Sequence, residues 1–243
     1  MPFIKSVLRV LPEGPVEEYL NEIPSIAGLE ELSFTAPVTF FAGENGSGKS
    51  TLLEALAVLT GMNAEGGGIN FNFSTRQSHS GLHHALRLRR SFQRPATTFF
   101  LRAESFYNLA TNLDELRRVD PRAYAAYGGR SLHEQSHGES FLNLVVNRFS
   151  PGGLYLLDEP EAALSPSRQL SLLAAIHRLV QEGSQFIIAT HSPILMAYPD
   201  AQILLFGEEG IRPVAYTDTE HYRITHDFLC DPQRMMRVLF EEG

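Results

Sequence analysis

An α/β fold with a largely parallel sheet is the architecture this sequence predicts, and three observations carry it. Continuous apolar runs, VTFFA (38–42), GLYLL (153–157) and QFIIA (185–189), read as strands buried on both faces, as parallel sheets bury theirs. Helical patterns alternate with them, at Ser50–Leu59 and Pro166–Gln181. Each run also stops on glycine or polar residues, at the carboxyl edge where open α/β sheets place their ligands.

The length of 243 residues suits one domain over 1–243, with a small helical lobe at approximately 105–149 inside it. A single cysteine, Cys230, excludes a disulfide framework or a cysteine metal site within the chain and agrees with a reducing cytoplasm. The opening MPFIKSVLRVLPEG lacks a secretory layout, because Lys5 and Arg9 break its short apolar stretch. No window holds 18 uninterrupted apolar residues, so a membrane role requires a separate partner subunit. The net charge of −8 argues against wrapping nucleic acid over the whole surface. Between Arg76 and Arg130, however, ten Arg against four acids give +6 and leave −14 for the remainder. Either that segment is a face for an acidic partner such as nucleic acid, or its arginines pair within the chain. Arg87, Arg89, Arg90 and Arg94 crowd eight residues and, on a helix, partly share a side.

The remaining elements follow in order. FIKSVLRV (3–10) alternates as a strand does, and residues 31–43 read as one or two strands, which makes an antiparallel N-terminal part. GGG (66–68) marks a loop, Ser80–Arg90 a short helix and Thr97–Arg102 a strand. Residues 105–149 read mostly as helix, interrupted around Gly128-Gly129. Residues 201–216 resemble a hairpin turning at Gly207–Gly210, and a helix spans Pro232–Phe240.

Chemistry enters at Gly43-Glu44-Asn45-Gly46-Ser47-Gly48-Lys49-Ser50, which fits the phosphate-binding pattern G-x-x-x-x-G-K-[ST] between a strand and a helix. Glycines let successive backbone N–H groups turn inward around phosphate oxygens, and the positive end of the following helix adds to them. The pattern predicts Mg-ATP at Gly43–Thr51, with Lys49 on the β- and γ-phosphates and the Ser50 hydroxyl on Mg²⁺. Asp158 and Glu159 close the strand GLYLL, which delivers both beside that loop in a parallel sheet. Asp158 is the candidate for the Mg²⁺ shell and Glu159 for the base that polarises the attacking water.

Further motifs follow in a set order. Ser136-His137-Gly138-Glu139 precedes a helical run, Ala163-Leu164-Ser165 follows the acid pair, and Ala189-Thr190-His191-Ser192-Pro193 ends the next strand. Alone, SHGE also suits a helix cap and THSP a plain strand exit. In this order over residues 43–193, the series resembles the ABC-type P-loop ATPases, on their RecF/SMC-like side, and the small stand-alone ATPases there that lack a coiled coil. The resemblance implies an ATPase that closes as an ATP-sandwich homodimer. Ser136, Gly138 and Glu139 would face the γ-phosphate held by the other subunit, and His191 would sense that phosphate. Only 87 residues separate Lys49 from Ser136, room for a helical lobe but not for a long coiled coil.

Two departures stand out. Gln135 and His137 replace residues of the usual LSGGQ signature, and the slot for the glutamine of the Q-loop holds Glu104, with Gln77 as the alternative. Phe34 and Phe3 are the aromatic candidates for adenine stacking, and His79, His83, His84 and His137 read as surface or packing residues. Function then divides between a cytoplasmic nucleotide-driven switch on an unknown effector, in DNA maintenance or defence, and the nucleotide-binding subunit of a membrane transporter. A monomeric kinase is disfavoured by the Ser136 and His191 motifs.

Overall fold

The computed structural model describes residues 2–64, 66–67, 80–103 and 137–241. Among the described residues six strands form the main sheet, in the order β5 (Thr97–Arg102), β6 (Gly153–Asp158), β7 (Gln185–Ala189), β3 (Val38–Ala42), β8 (Gln202–Gly207) and β9 (Gly210–Val214). All neighbours are parallel except the β8–β9 hairpin at one edge. The antiparallel N-terminal part is a second sheet of three strands, with β1 (Ile4–Arg9) between β2 (Glu31–Ser33) and β4 (Leu86–Arg90).

Both faces of the main sheet are covered, which is why its strands read as unbroken apolar runs. Successive side chains on a strand point to opposite faces. Leu154 and Leu156 therefore pack with Val7 of the small sheet and with Leu52, Leu53 and Leu56 of the helix after the phosphate loop, α2 (Lys49–Leu59). Tyr155 and Leu157 face the opposite cluster, with Phe141, Leu144 and Val145 of α3 (His137–Arg148) and Leu172, Ile176 and Leu179 of α4 (Pro166–Gln181). Between β1 and β3 lies the one-turn helix α1 (Pro24–Ala27). Three further helices follow β7: α5 (Pro193–Met196), α6 (Glu220–Cys230) and α7 (Pro232–Glu241).

Tyr155 shows how the far end of β6 is fastened. Its ring stacks on Phe149 at 4.0 Å, and its hydroxyl donates to the Ser150 carbonyl and accepts from the Ser150 N–H, both at 2.7 Å. Tyr155→Phe keeps the stack and deletes both bonds, a loss of about 1–2 kcal/mol. Thermal unfolding should show a Tm lower by roughly 2–8 °C for a chain of this size; an unchanged Tm would mean that water takes over both bonds.

The structure departs from the sequence expectation in places. Ser80–Arg90 is not a helix: a 3₁₀ turn at Gly81–Ala85 leads into β4, which pairs with β1. The segment has helical spacing only locally, and the partner strand that captures it lies some eighty residues earlier in the chain. The sequence did not announce α6, since no wide apolar stripe marks EHYRITHDFLC and none of its residues is buried. Of the lobe expected over approximately 105–149, the part from 137 is helical as α3, and the turn at Gly128-Gly129 lies outside the described residues. In the glycine loop at 66–68, Gly67 exchanges backbone hydrogen bonds with Phe100 beside the edge of the main sheet.

Candidate active site

β3 ends at Ala42 and α2 begins at Lys49, so the loop Gly43–Gly48 lies at the carboxyl edge of the main sheet. Two of its glycines are required by geometry. Gly43 has φ +139°, and a Cβ built there would lie 2.4 Å from the Phe206 carbonyl oxygen. Gly48, with φ +94°, precedes the helix and abuts Ile26 and Ile23. Glu44, Asn45 and Gly46 are exposed at the rim, whereas Lys49 is buried. Its ammonium group donates to the carbonyls of Gly43 at 2.8 Å and Glu44 at 2.7 Å. Burial lowers the Lys49 pKa, against the pull of Glu159, Asp158, Glu161 and Glu44, whose charges favour the ammonium form.

The next strand but one brings the acids. β6 ends at buried Asp158, whose Oδ1 accepts from the Ser50 hydroxyl at 2.8 Å, joining residues 108 apart in sequence. Glu159 follows in the left-handed region, with φ +49°, and its N–H donates to the Ala189 carbonyl of β7. A non-glycine residue in that conformation is uncommon and turns its side chain out of the strand line. The Glu159 carboxylate lies 3.7 Å from His191 Nε2. Ser50, Asp158 and Glu159 line an open cleft with Arg102, Ala162 and Ala163.

Sequence reasoning missed three residues here. Arg102, the last residue of β5, lies 3.1 Å from both Asp158 Oδ2 and Glu54 Oε2, and so partly neutralises the strand-end acid. Glu161 accepts from the Thr190 hydroxyl at 2.7 Å and from the His191 N–H at 2.5 Å, fastening the turn that carries the histidine. Burial raises the Glu161 pKa, although these bonds hold it back. His221 of α6 places its Nε2 3.0 Å from His191 Nδ1. Arg102 and Glu161 each adjoin a motif and could have been suspected from that. Nothing local marks His221.

Several expectations change. Phe34 and Phe3 are packed into the core, 3% and 7% exposed, so neither is open to stack on adenine. Arg87, Arg89 and Arg90 lie on β4 rather than on a helix. Arg87 pairs with Glu13, Arg89 with Glu31 at 3.0 Å, and Arg90 donates to the Leu59 carbonyl. This part of the basic segment is therefore spent on intramolecular pairing. The rings of His83 and His84 tilt against each other, and among the described residues no group of three side chains suits a metal by histidine, cysteine or acid ligation. Ser136, Gln77, Glu104 and His79 lie outside the described residues. Gly138, in the first turn of α3, packs against Arg168 and the Ala163 carbonyl, and Glu139 pairs with Arg168 at 3.3 Å.

Family models match in two places, an "AAA domain" over residues 19–102 and an "AAA domain, putative AbiEii toxin, Type IV TA system" over 126–197. The cobalt import ATP-binding protein CbiO of Salmonella typhimurium is 30% identical over 236 residues, covering 87% of this chain and 85% of that protein. This chain belongs to the ABC-type P-loop ATPases. The hemin import ATP-binding protein HmuV of Pseudomonas fluorescens, another ABC-type relative, is 32% identical over 189 residues, 71% of this chain and 72% of its own. Solved structures share the ABC-ATPase fold. A putative metal-chelate type ABC transporter matches at TM-score 0.51 and 17% identity, over 88% of this chain and 84% of that one. The SmcHead bound to the C-winged helix domain of ScpA matches at 0.50 and 14%, over 88% and 98%. The RecF/SMC-like reading of the motifs agrees with the two AAA-domain models.

The residues present fit the Mg-ATP such an ATPase uses. The loop at Gly43 has no space for a side chain, and the Ser47 hydroxyl and His191 Nε2 are buried polar atoms without a hydrogen-bond partner among the described residues. The Ser50 hydroxyl and Asp158 carboxylate are the hard oxygen donors that Mg²⁺ prefers.

Proposed function

We propose that this ATPase works as a nucleotide-driven switch, closing as a homodimer around two ATP molecules and passing the movement to an effector. One observation carries the reading. Lys49, Ser50, Asp158, Glu159 and His191 converge on one open site, while Gly138 at the start of α3 packs on its own Ala163 and Arg168 rather than on the phosphate loop. The signature turn of a second copy is then what completes the phosphate cage, through Ser136, Gly138 and Glu139.

The chemistry follows from the residues. Entering phosphates draw Lys49 Nζ from the Gly43 and Glu44 carbonyls, since a charged acceptor makes the stronger bond. The backbone N–H groups of Gly43–Thr51 hold the triphosphate at the start of α2. Ser50 and Asp158 would hold Mg²⁺, which supplies charge neutralisation on the β- and γ-phosphate oxygens. Glu159 orients the attacking water in line with the γ-phosphate and accepts its proton. His191 Nε2 donates to the γ-phosphate, and Lys49 stabilises the transferring group. The histidine is suited to that donor role as a neutral imidazole. Its pKa is lowered by burial first and by Lys49 second, with Glu159 opposing.

Sedimentation velocity of Glu159→Gln tests the closure. Saturating Mg-ATP should shift the protein from monomer or weak dimer to dimer, because a ligand shared across an interface stabilises the associated form. Ser136→Arg should block the shift by placing bulk and charge at the contact. A monomer at saturating nucleotide, well above micromolar protein, would sink the sandwich reading.

For the effector, our reading is defence or nucleic-acid maintenance; the family description over residues 126–197, which names a putative AbiEii toxin of a Type IV TA system, favours the first. The alternative is the nucleotide-binding subunit of a membrane transporter, and the likeness to CbiO and HmuV favours it. Against it stand the departures at Gln135 and His137 from the usual signature and a Q-loop slot that holds Glu104 instead of glutamine, the place where transporter subunits couple to their membrane partners. Among the described residues no helix is long and apolar enough to cross a membrane, so that alternative requires a partner subunit. Affinity purification of Glu159→Gln with ATP separates the two: a membrane protein in the complex would decide for the transporter. Direct nucleic-acid contact would fall to Arg94 and to arginines outside the described residues.

A further inference from the structure

His221 lies on α6, far from every motif, yet its ring meets the ring of His191 at a centroid distance of 5.2 Å. Its Nε2 is 3.0 Å from His191 Nδ1. The same side chain lines the cleft formed by Gly43–Ser47, Phe206 and Glu220. Three ties hold α6 in that place. Thr219, fully buried, caps the helix by accepting from the Tyr222 N–H and donates to the Tyr216 carbonyl at 2.7 Å. The Tyr216 hydroxyl donates to the Pro193 carbonyl at 2.9 Å, two residues beyond His191. The Tyr216 and Tyr222 rings pack at 4.7 Å. The start of α6 is thus fastened to the turn that carries His191.

An imidazole–imidazole hydrogen bond has one donor and one acceptor, so the pair must choose between two tautomers. If His191 donated from Nδ1, its Nε2 would present a bare lone pair to the Glu159 carboxylate at 3.7 Å and to any phosphate beside it. If His221 donates from Nε2, the proton of His191 resides on Nε2 and faces those anions. The second arrangement is the one that Glu159 and an anionic substrate favour. It gives the buried and otherwise unpartnered Nε2 of His191 a proton to donate.

We propose that His221 is a positioning residue for hydrolysis: its Nε2–H donates to His191 Nδ1 and so fixes His191 with its Nε2–H towards the γ-phosphate. The role parallels that of partners that fix the tautomer of a catalytic or metal-binding histidine through its other nitrogen. It also makes α6 part of the catalytic apparatus, so that a displacement of this helix reaches the phosphate sensor directly.

The proposal rests on His191 contacting the γ-phosphate, and the experiment separates the two. Steady-state hydrolysis is measured for His221→Phe, which keeps the ring volume without a donor, and for His221→Gln, whose amide N–H can reach the same acceptor. His221→Phe should lower kcat by about 10–100-fold, with KM and the nucleotide Kd changed less than about threefold, since substrate binding rests on the phosphate loop. His221→Gln should recover most of that loss. Two-bond ¹H–¹⁵N spectra should show His191 protonated at Nε2 in the unaltered protein and mixed in His221→Phe. In a His191→Ala background, His221→Phe should have no further effect. Full kcat in His221→Phe, or His191 protonated at Nδ1 in the unaltered protein, would overturn the proposal. Equal losses in the Phe and Gln variants with an unchanged His191 spectrum would do the same. Full turnover in His191→Ala would instead remove the reading beneath it. The tautomer spectrum of the unaltered protein decides the matter even if His221→Phe fails to fold.

Discussion

Glu159→Gln is expected to lower the rate of ATP hydrolysis by roughly 10²–10³-fold while the protein still binds Mg-ATP. The change keeps the shape of the side chain and removes its ability to take a proton, and a positioned general base contributes about that much. The position can bear the substitution. Its backbone is held by the bond to the Ala189 carbonyl and by the turn into Pro160–Ala163, and its side chain is 38% exposed rather than packed. Binding should be retained or slightly strengthened, because a negative charge is removed from beside the phosphates. Phosphate release and calorimetric titration with ATP check the two halves separately. Hydrolysis at the unaltered rate would show that Glu159 is not the base, and the same variant would then be useless for trapping the closed dimer.

The second large effect is on binding itself. Lys49→Ala should weaken ATP affinity by about 100-fold or more, since it removes two charge-assisted hydrogen bonds worth about 1.5–3 kcal/mol each. The fold should survive. Among the described residues, Lys49 is bonded in the free protein only to the Gly43 and Glu44 carbonyls, and Glu44 lies at the exposed rim where water can replace it. Nor does the apolar packing of α2 depend on Lys49, because Leu52, Leu53 and Leu56 make it. A titration with a fluorescent ATP analogue gives the affinity, and the unfolding temperature of the free protein provides the control. Affinity within about threefold of the unaltered protein would mean that the ammonium group does not reach the phosphates.

How early each feature could be seen depends on how far apart its parts lie in the chain. The phosphate cradle was legible at once. Its function is built from the backbone of consecutive residues, so glycines at 43, 46 and 48, a lysine at 49 and a hydroxyl at 50 are its whole specification. The parallel sheet was legible from VTFFA, GLYLL and QFIIA, because burial on both faces leaves a mark on every residue of a strand. Asp158 and Glu159 were proposed from their place at a strand end and His191 from the motif resemblance, and the parallel sheet brings the three to one edge.

What escaped was the set of pairings between distant segments, and these only the tertiary structure decided. Ser80–Arg90 ended as a turn and an edge strand because β1 offered its backbone, a contact that outweighs local helical spacing. The arginines of β4 found Glu13 and Glu31 on neighbouring segments, so a charge surplus in the sequence was largely balanced in space. Arg102 on Asp158, Glu161 on His191 and His221 on His191 likewise join residues 56, 30 and 30 apart. The sequence by itself determined the chemistry of the loop and the order of the strands' motifs, because both are encoded in contiguous residues. The partners that orient Asp158 and His191 had to await the fold, since a side-chain hydrogen bond across a cleft leaves no periodicity in the chain.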